Sequence, residues 1–223
     1  MISQPTPVVF VEPAVWLGGC HPLVEQLGSA GALAELGSGA CALRREPVRD
    51  LPAFRRFLHD YQQRVLLPVE LPAIHRAWQH ASTNQLRELL ALDRRMAREP
   101  RLKPLAEASQ RVGQRRLRQF RALRDVRLVQ RYLDALDRGD AHAWHTLVYG
   151  VTMWLFSLPL RPGLLGYGRQ VTRGFIRAAA GPLRLTESER SQLNHELMPP
   201  LVAAVAALTT AEDSSVSPIR AGR

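Results

Sequence analysis

The chain has 223 residues, enough for one ordinary domain or two small ones with a substantial core. A hydrophobic content of 46% with 22% charged residues excludes a disordered chain and a multi-span membrane protein. There are 30 Lys and Arg against 20 Asp and Glu, a formal charge of +10, and Lys103 is the only lysine. That excess attracts acidic partners but does not define a fold. Cys20 and Cys41 are too few for a disulfide framework or a four-cysteine zinc site, so a reducing cytoplasm is the expected setting.

Residues 1–21 read as an N-terminal extension. Leu17-Gly18-Gly19-Cys20 has the look of a lipoprotein cleavage box, but no basic residue precedes it, and Glu12 and Pro13 interrupt the apolar run. Val8 to Val11 is the one segment with strand character. Gly28, Gly31, Gly37 and Gly39 are not arranged as a phosphate loop and read as a flexible or closely packed helical hairpin.

Helical punctuation dominates from residue 50. Asp50 is a candidate N-cap with Pro52 in the first turn, and Phe54, Phe57, Leu58, Tyr61, Val65 and Leu66 recur at helical spacing. A second, short helix is expected from about Glu70 to His80. Ser82 to Gln85 has the form of a capping box opening a helix with Leu86, Leu89, Leu90 and Met96 on one face. Pro100 and Pro104 bracket a break before a long helix through Ala108, Val112, Leu117 and Phe120. Val126, Val129, Tyr132, Leu133 and Leu136 form the next stripe, ended by Gly139 as a C′ glycine. Asp140 is expected to cap the following helix. The run from Ala141 to Leu160 holds no charged side chain, long enough to span a bilayer, but its His, Thr and Ser content favours a helix buried on all sides in a core. A helix from about Leu164 to Ala180 carries Gly166, Gly168 and Gly174 with Gly163 beside it, which points to close packing against a neighbour. Thr186 to Glu189 is a second capping box, and its helix is kinked or ended by Pro199 and Pro200. The tail from Thr209 is polar and reads as frayed. The prediction is an all-α, single-domain globular bundle of about eight to ten helices over residues 22–208, with a flexible tail over 209–223.

No catalytic residue, cofactor site or metal site is assigned. Ser38 lacks the preceding strand of a nucleophile elbow. His142 and His145, at i and i+3, would share a helical face, but with only Asp140 nearby they read as structural. An enzyme with a buried ligand would need a closed apolar cavity lined by His142, His145 and Tyr149. The most prominent charge feature is Arg111, Arg115, Arg116, Arg118, Arg121, Arg124 and Arg127, of which Arg111, Arg115, Arg118 and Arg121 fall close to one side of a helix. It reads as a solvated face, a surface for an acidic protein, or, as the alternative function, an Arg-rich nucleic-acid-binding surface.

Five ordered segments together resemble the urease accessory protein UreF family. They are Arg49-Asp50-Leu51 leading to Phe54 and Phe57-Leu58, Glu70-Leu71-Pro72 through Ala77, and Arg94 and Glu99 followed by Ser109-Gln110-Arg111-Val112-Gly113 and Leu117. Tyr149-Gly150 and Leu158-Pro159-Leu160 with Leu164-Leu165 and Tyr167 complete the set. The resemblance spans about residues 25–205. It implies an all-α, cytoplasmic homodimer that is not an enzyme. Such a protein would bind a UreD- or UreH-type accessory protein and a UreG-type GTPase, and serve nickel insertion into apo-urease as a chaperone of metallocentre assembly, with nickel cation binding a property of that machinery. Departures from the family pattern fall in segments that the resemblance implies for partner contacts: Leu33 replaces an aromatic residue, Glu35 a His and Ala40 an acid, while Gly181 and Glu187 stand where Arg and Gln are usual. The candidate partner-binding residues are Gly31, Glu35, Arg111, Gly113, Arg173 and Arg177.

Overall fold

The structure is a computed structural model that describes residues 47–213, with side chains described through Thr210. Val8–Val11, the glycine-rich segment with Gly31 and Glu35, Cys20, Cys41 and the tail beyond Asp213 lie outside the described residues. Among the described residues there are eight α-helical segments and no strand.

The chain enters through α1 (Leu51–Tyr61), with the Asp50 carboxylate accepting from the Ala53 amide at 2.7 Å, as its N-cap character predicts. The expected second helix from about Glu70 to His80 is not a separate element. Instead, α1 runs into a π-helix (Gln62–Glu70) and on into α2 (Leu71–Ser82) as one continuous rod. Pro68 explains the change of winding: in an α-helix its ring would collide with the Arg64 carbonyl and no amide would be there to bond it. In the wider winding that carbonyl accepts from Arg101 Nη1 at 3.2 Å. The winding also sets a contact. The Tyr61 hydroxyl donates to Glu70 Oε2 at 2.6 Å across nine residues. Nine α-helical steps of about 100° would put the two on opposite sides, whereas nine steps at roughly 4.4 residues per turn complete about two turns.

Helix α3 (Leu86–Ala97) follows, but without the predicted capping box. The preceding helix continues through Ser82, whose hydroxyl donates back to the Gln79 carbonyl at 2.8 Å. Asn84 then turns the chain at φ 55°. A 3₁₀ turn (Pro100–Leu105) leads into α4 (Ala106–Gln119), and a second 3₁₀ turn (Phe120–Ala122) leads towards α5 (Arg127–Asp137). Next come α6 (His145–Leu155), α7 (Leu160–Ala180) and α8 (Glu187–Asp213). The last helix is capped by Thr186 and Glu189 in reciprocal bonds of 2.8 and 3.3 Å, and it does not end at Pro199 and Pro200.

The uncharged run becomes the centre of the bundle. From His145 to Met153 every residue of α6 is buried. It lies between α2 and α4, and α7 packs on α2 and α8 around it. The largest buried side chains include Trp144, Tyr132, Tyr167, Phe54, Phe57 and Phe175, each contributing about 2–3 kcal/mol of apolar burial. No described helix is long and apolar enough to cross a membrane.

Four helices end in the same way. After α2, α5, α6 and α7 an amide returns to the carbonyl five residues back: Gln85 to His80, Asp140 to Ala135, Leu158 to Met153, and Leu185 to Ala180, at 2.7–2.9 Å. The residue in the left-handed region is Asn84, Gly139, Ser157 and Arg184 respectively. Gly139 was readable as such; Ser157 and Arg184 pay a steric cost there.

A Cβ on Gly150 would sit 2.4 Å from the Ile74 carbonyl oxygen and one on Gly113 2.0 Å from the Ala143 oxygen, both unyielding backbone. Gly150→Ala and Gly113→Ala are each expected to cost about 3 kcal/mol or more, read as a lower urea midpoint. Arg184→Gly, by contrast, is expected to raise stability by about 0.5–1 kcal/mol, read in the same titration.

Candidate functional site

The charged groups singled out by sequence sort onto two exteriors, each fixed by a buried polar anchor. On α7, Tyr167, Val171, Phe175 and Ile176 face inward. Phe175 meets Phe57 and Tyr61 edge-on, with ring centroids 5.3 and 4.9 Å apart. Tyr167 packs on Tyr149 at 5.0 Å and on His145 at 6.1 Å. Beneath this aromatic floor lies Glu70, buried at the end of the π-helix. Burial first, then the Glu70 charge, push the Tyr61 and Tyr167 phenols well above the usual value, so both keep their protons. The floor fixes the rotation of α7 and turns Arg173 and Arg177, four residues apart, outward and exposed.

Beside this row lies a groove between α7 and α8 of about 540 Å³. Arg169, Thr172 and Arg173 line one wall; Glu187, Ser191, Asn194, His195 and Met198 line the other. Sequence reasoning missed the second wall because its members are unremarkable one by one and are brought to the groove only by the antiparallel return of α8. That helix is held against α1 by Glu196, which meets Arg55 Nε at 3.1 Å, and against the π-helix by Gln62 Nε2 donating to the Leu197 carbonyl at 2.7 Å. Beyond Glu196, α8 carries no charged side chain until Glu212, although Val202, Ala203 and Ala207 are exposed.

Arg111 is on another exterior. It projects from α4, whose main neighbours are α6 and α5, so the structure does not join it to Arg173 and Arg177. Gly113, two residues on and so on the opposite side of the helix, is buried and faces inward, where it lets α4 lie on the backbone of residues 143–145. Its part in any partner surface is therefore to set where Arg111 stands.

The second anchor is Asp93, fully buried on α3 and also missed. Its carboxylate accepts from the His142 amide at 2.6 Å, the Trp144 amide at 3.4 Å and the Tyr132 hydroxyl at 3.3 Å. This pulls residues 141–144 out of helix, with Ala143 at φ 53°, and α6 begins only at His145. Asp140 consequently does not cap α6; it pairs with Arg138 at 2.9 Å. His142 and His145 do not share a helical turn either: the first is in the loop, and the second opens α6 beside Tyr149. The sequence signal was a carboxylate on an apolar stripe, four residues after Leu89 and three before Met96. Among the described residues, no group of three His, Cys, Asp or Glu is placed to hold a metal ion.

Fold and site together define an all-α protein whose charged groups are arrayed on helix exteriors above buried polar anchors. The family model described as UreF matches residues 48–211, nearly the whole of the described body. The chain belongs to the UreF family of urease accessory proteins, whose role is in urease maturation with other accessory proteins. No curated protein matches the chain.

Asp93 gives a prediction with a worked sign. Burial, only partly offset by the two amide bonds, raises its pKa above the ordinary Asp value. Between the ordinary and the raised value the unfolded chain loses this proton first, so the group's contribution to stability falls as pH rises through that window. Asp93→Asn removes the titration, so urea midpoints are expected to show the variant gaining on the parent from pH 4 upward. Asp93→Ala strands three donors and is expected to cost about 3 kcal/mol or more at every pH.

Proposed function

We propose that this chain is a urease accessory factor acting in the cytoplasm by docking rather than by catalysis. It would bind a UreD- or UreH-type accessory protein and a UreG-type GTPase, as a homodimer, so that nickel is inserted into apo-urease. The observation that carries this reading is the family match over nearly all of the helical body, from 48 to 211. The geometry supports it in two ways. The row of Arg173 and Arg177 beside the α7–α8 groove offers rigidly mounted guanidiniums for carboxylates on a partner. The uncharged outer face of α8 beyond Glu196 offers a surface on which another helix can lie. Gly31 and Glu35 in the N-terminal segment and Arg111 on α4 are the further contacts of this reading. Nickel is cargo of the assembly.

Co-purification of the full chain with UreD- and UreG-type proteins at micromolar concentration and low salt tests the proposal. A stable complex is expected, with Arg173→Glu weakening it by about tenfold or more while the circular dichroism spectrum is unchanged. Absence of any complex under those conditions overturns the reading. Light scattering on the eluted chain checks the dimer.

A further inference from the structure

Helices α3 and α5 are joined at depth by two buried side chains: the Tyr132 hydroxyl donates to Asp93 Oδ1 at 3.3 Å. The chain neighbours of that pair, Arg94 and Arg131, are both exposed, and the contact that clamps the helices brings their side chains to one seam outside. Arg87 stands two turns before Arg94 and so on the same face of α3. All three arginines line a single surface pocket of about 560 Å³. Leu86 and Leu90, half-buried against the core, give it an apolar side, and Glu88 is its only carboxylate.

Other arginines of this region find carboxylates. Arg101 meets Glu99 at 2.6 Å, Arg121 meets Asp137 at 2.8 Å, and Arg138 meets Asp140 at 2.9 Å. The three in the pocket do not. No ion pair, side-chain hydrogen bond or ring contact holds the guanidinium of Arg87, Arg94 or Arg131, although Asp134 is exposed one turn along α5 from Arg131. Three guanidiniums against Glu88 leave the pocket positive, and counting Asp134 as well does not cancel that charge.

We propose that the α3–α5 pocket binds a diphosphate or another small, multiply charged phosphate ligand, held by Arg87, Arg94 and Arg131. Each guanidinium presents a rigid fork of donors that matches two phosphate oxygens, and it stays charged at every physiological pH. The pocket has the volume of a small-molecule site. A carboxylate occupies one fork, whereas three forks from two helices suit a group with more oxygens to offer. A nucleic-acid strand fits less well. It needs cations continuing along its backbone and rings to stack on, whereas this pocket gathers its cations in one place and no aromatic side chain lines it. The site shares no residue with the α7–α8 groove and does not depend on the accessory role proposed above.

The test is isothermal titration calorimetry of the full chain with inorganic pyrophosphate at low ionic strength. The comparison ligands are citrate, which carries a similar charge on carboxylates, and a single-stranded DNA oligonucleotide without a terminal phosphate. One saturable site for pyrophosphate is expected, with citrate bound about tenfold more weakly or worse. Arg94→Gln and Arg131→Gln should each weaken pyrophosphate by about tenfold with an unchanged circular dichroism spectrum. Arg56→Gln, which removes the same charge from the exposed side of α1, should leave binding as it is. Glu88→Gln should tighten it by about twofold or more. The proposal is overturned if pyrophosphate does not saturate, if either pocket variant binds it normally, or if Arg56→Gln weakens it as much. It is equally overturned if Glu88→Gln does not tighten binding, if citrate binds as tightly, or if the oligonucleotide binds and loses affinity in the same variants.

Discussion

A helix with no charged side chain and no wet face must be covered all round, and that requirement on α6 governs this architecture. Covering it completely brings neighbouring backbones into contact, and side chains cannot be interposed where this happens. Gly150 admits the α2 rod against its Ile74 carbonyl, and Gly113 lets α4 rest on the loop that leads into α6. Two of the polar groups that such a centre traps are satisfied nearby: Thr152 donates to the Val148 carbonyl at 2.6 Å, and the Tyr149 hydroxyl donates to the Gly163 carbonyl at 3.2 Å. With α6 enclosed, the outward faces of α4 and α7 are no longer free to rotate, and their arginines become fixed features of the exterior.

The charge is distributed unevenly over that exterior. Residues 86–138 hold 15 basic against 7 acidic side chains, whereas residues 187–213 hold 5 acidic against one, Arg190. A partner approaching the α3–α5 side meets a positive field, and one approaching α8 meets a mildly negative helix with a bare apolar face. Long-range attraction of this kind sorts partners by sign before any contact forms and weakens as salt rises. Two differently charged sides suit a protein that holds more than one partner at once.

What was legible in the sequence was whatever a residue does with its immediate neighbours. Asp50, Thr186 with Glu189, and Gly139 each signal a helix end through chemistry confined to three or four residues, and each appears where expected. Ser157 and Arg184 do the same job as Gly139 without the glycine that would announce it, because tertiary packing holds them in the left-handed region. Ser82 and Asp140 failed as caps for the complementary reason. The first was absorbed by a helix that kept going, and the second was outcompeted by Asp93, 47 residues earlier, which holds the loop from a distance no local pattern records. The same holds for the site. The four-residue spacing of Arg173 and Arg177 was visible, but the opposing wall with Asn194 and His195 exists only once α8 has folded back.

The π-wound stretch between Tyr61 and Glu70 works as a phase adjuster in an otherwise regular rod. Remove one residue from it and the two-turn register between Tyr61 and Glu70 would be lost, with Pro68 still barring regular α-winding. The phenol would swing away from its carboxylate, and every side chain of α2 would point roughly a quarter-turn off its seat on α6. Length in this stretch is consequently a more stringent requirement than composition. Substitutions on its outer surface can be absorbed, but an insertion or deletion would misalign the two halves of the molecule that it joins.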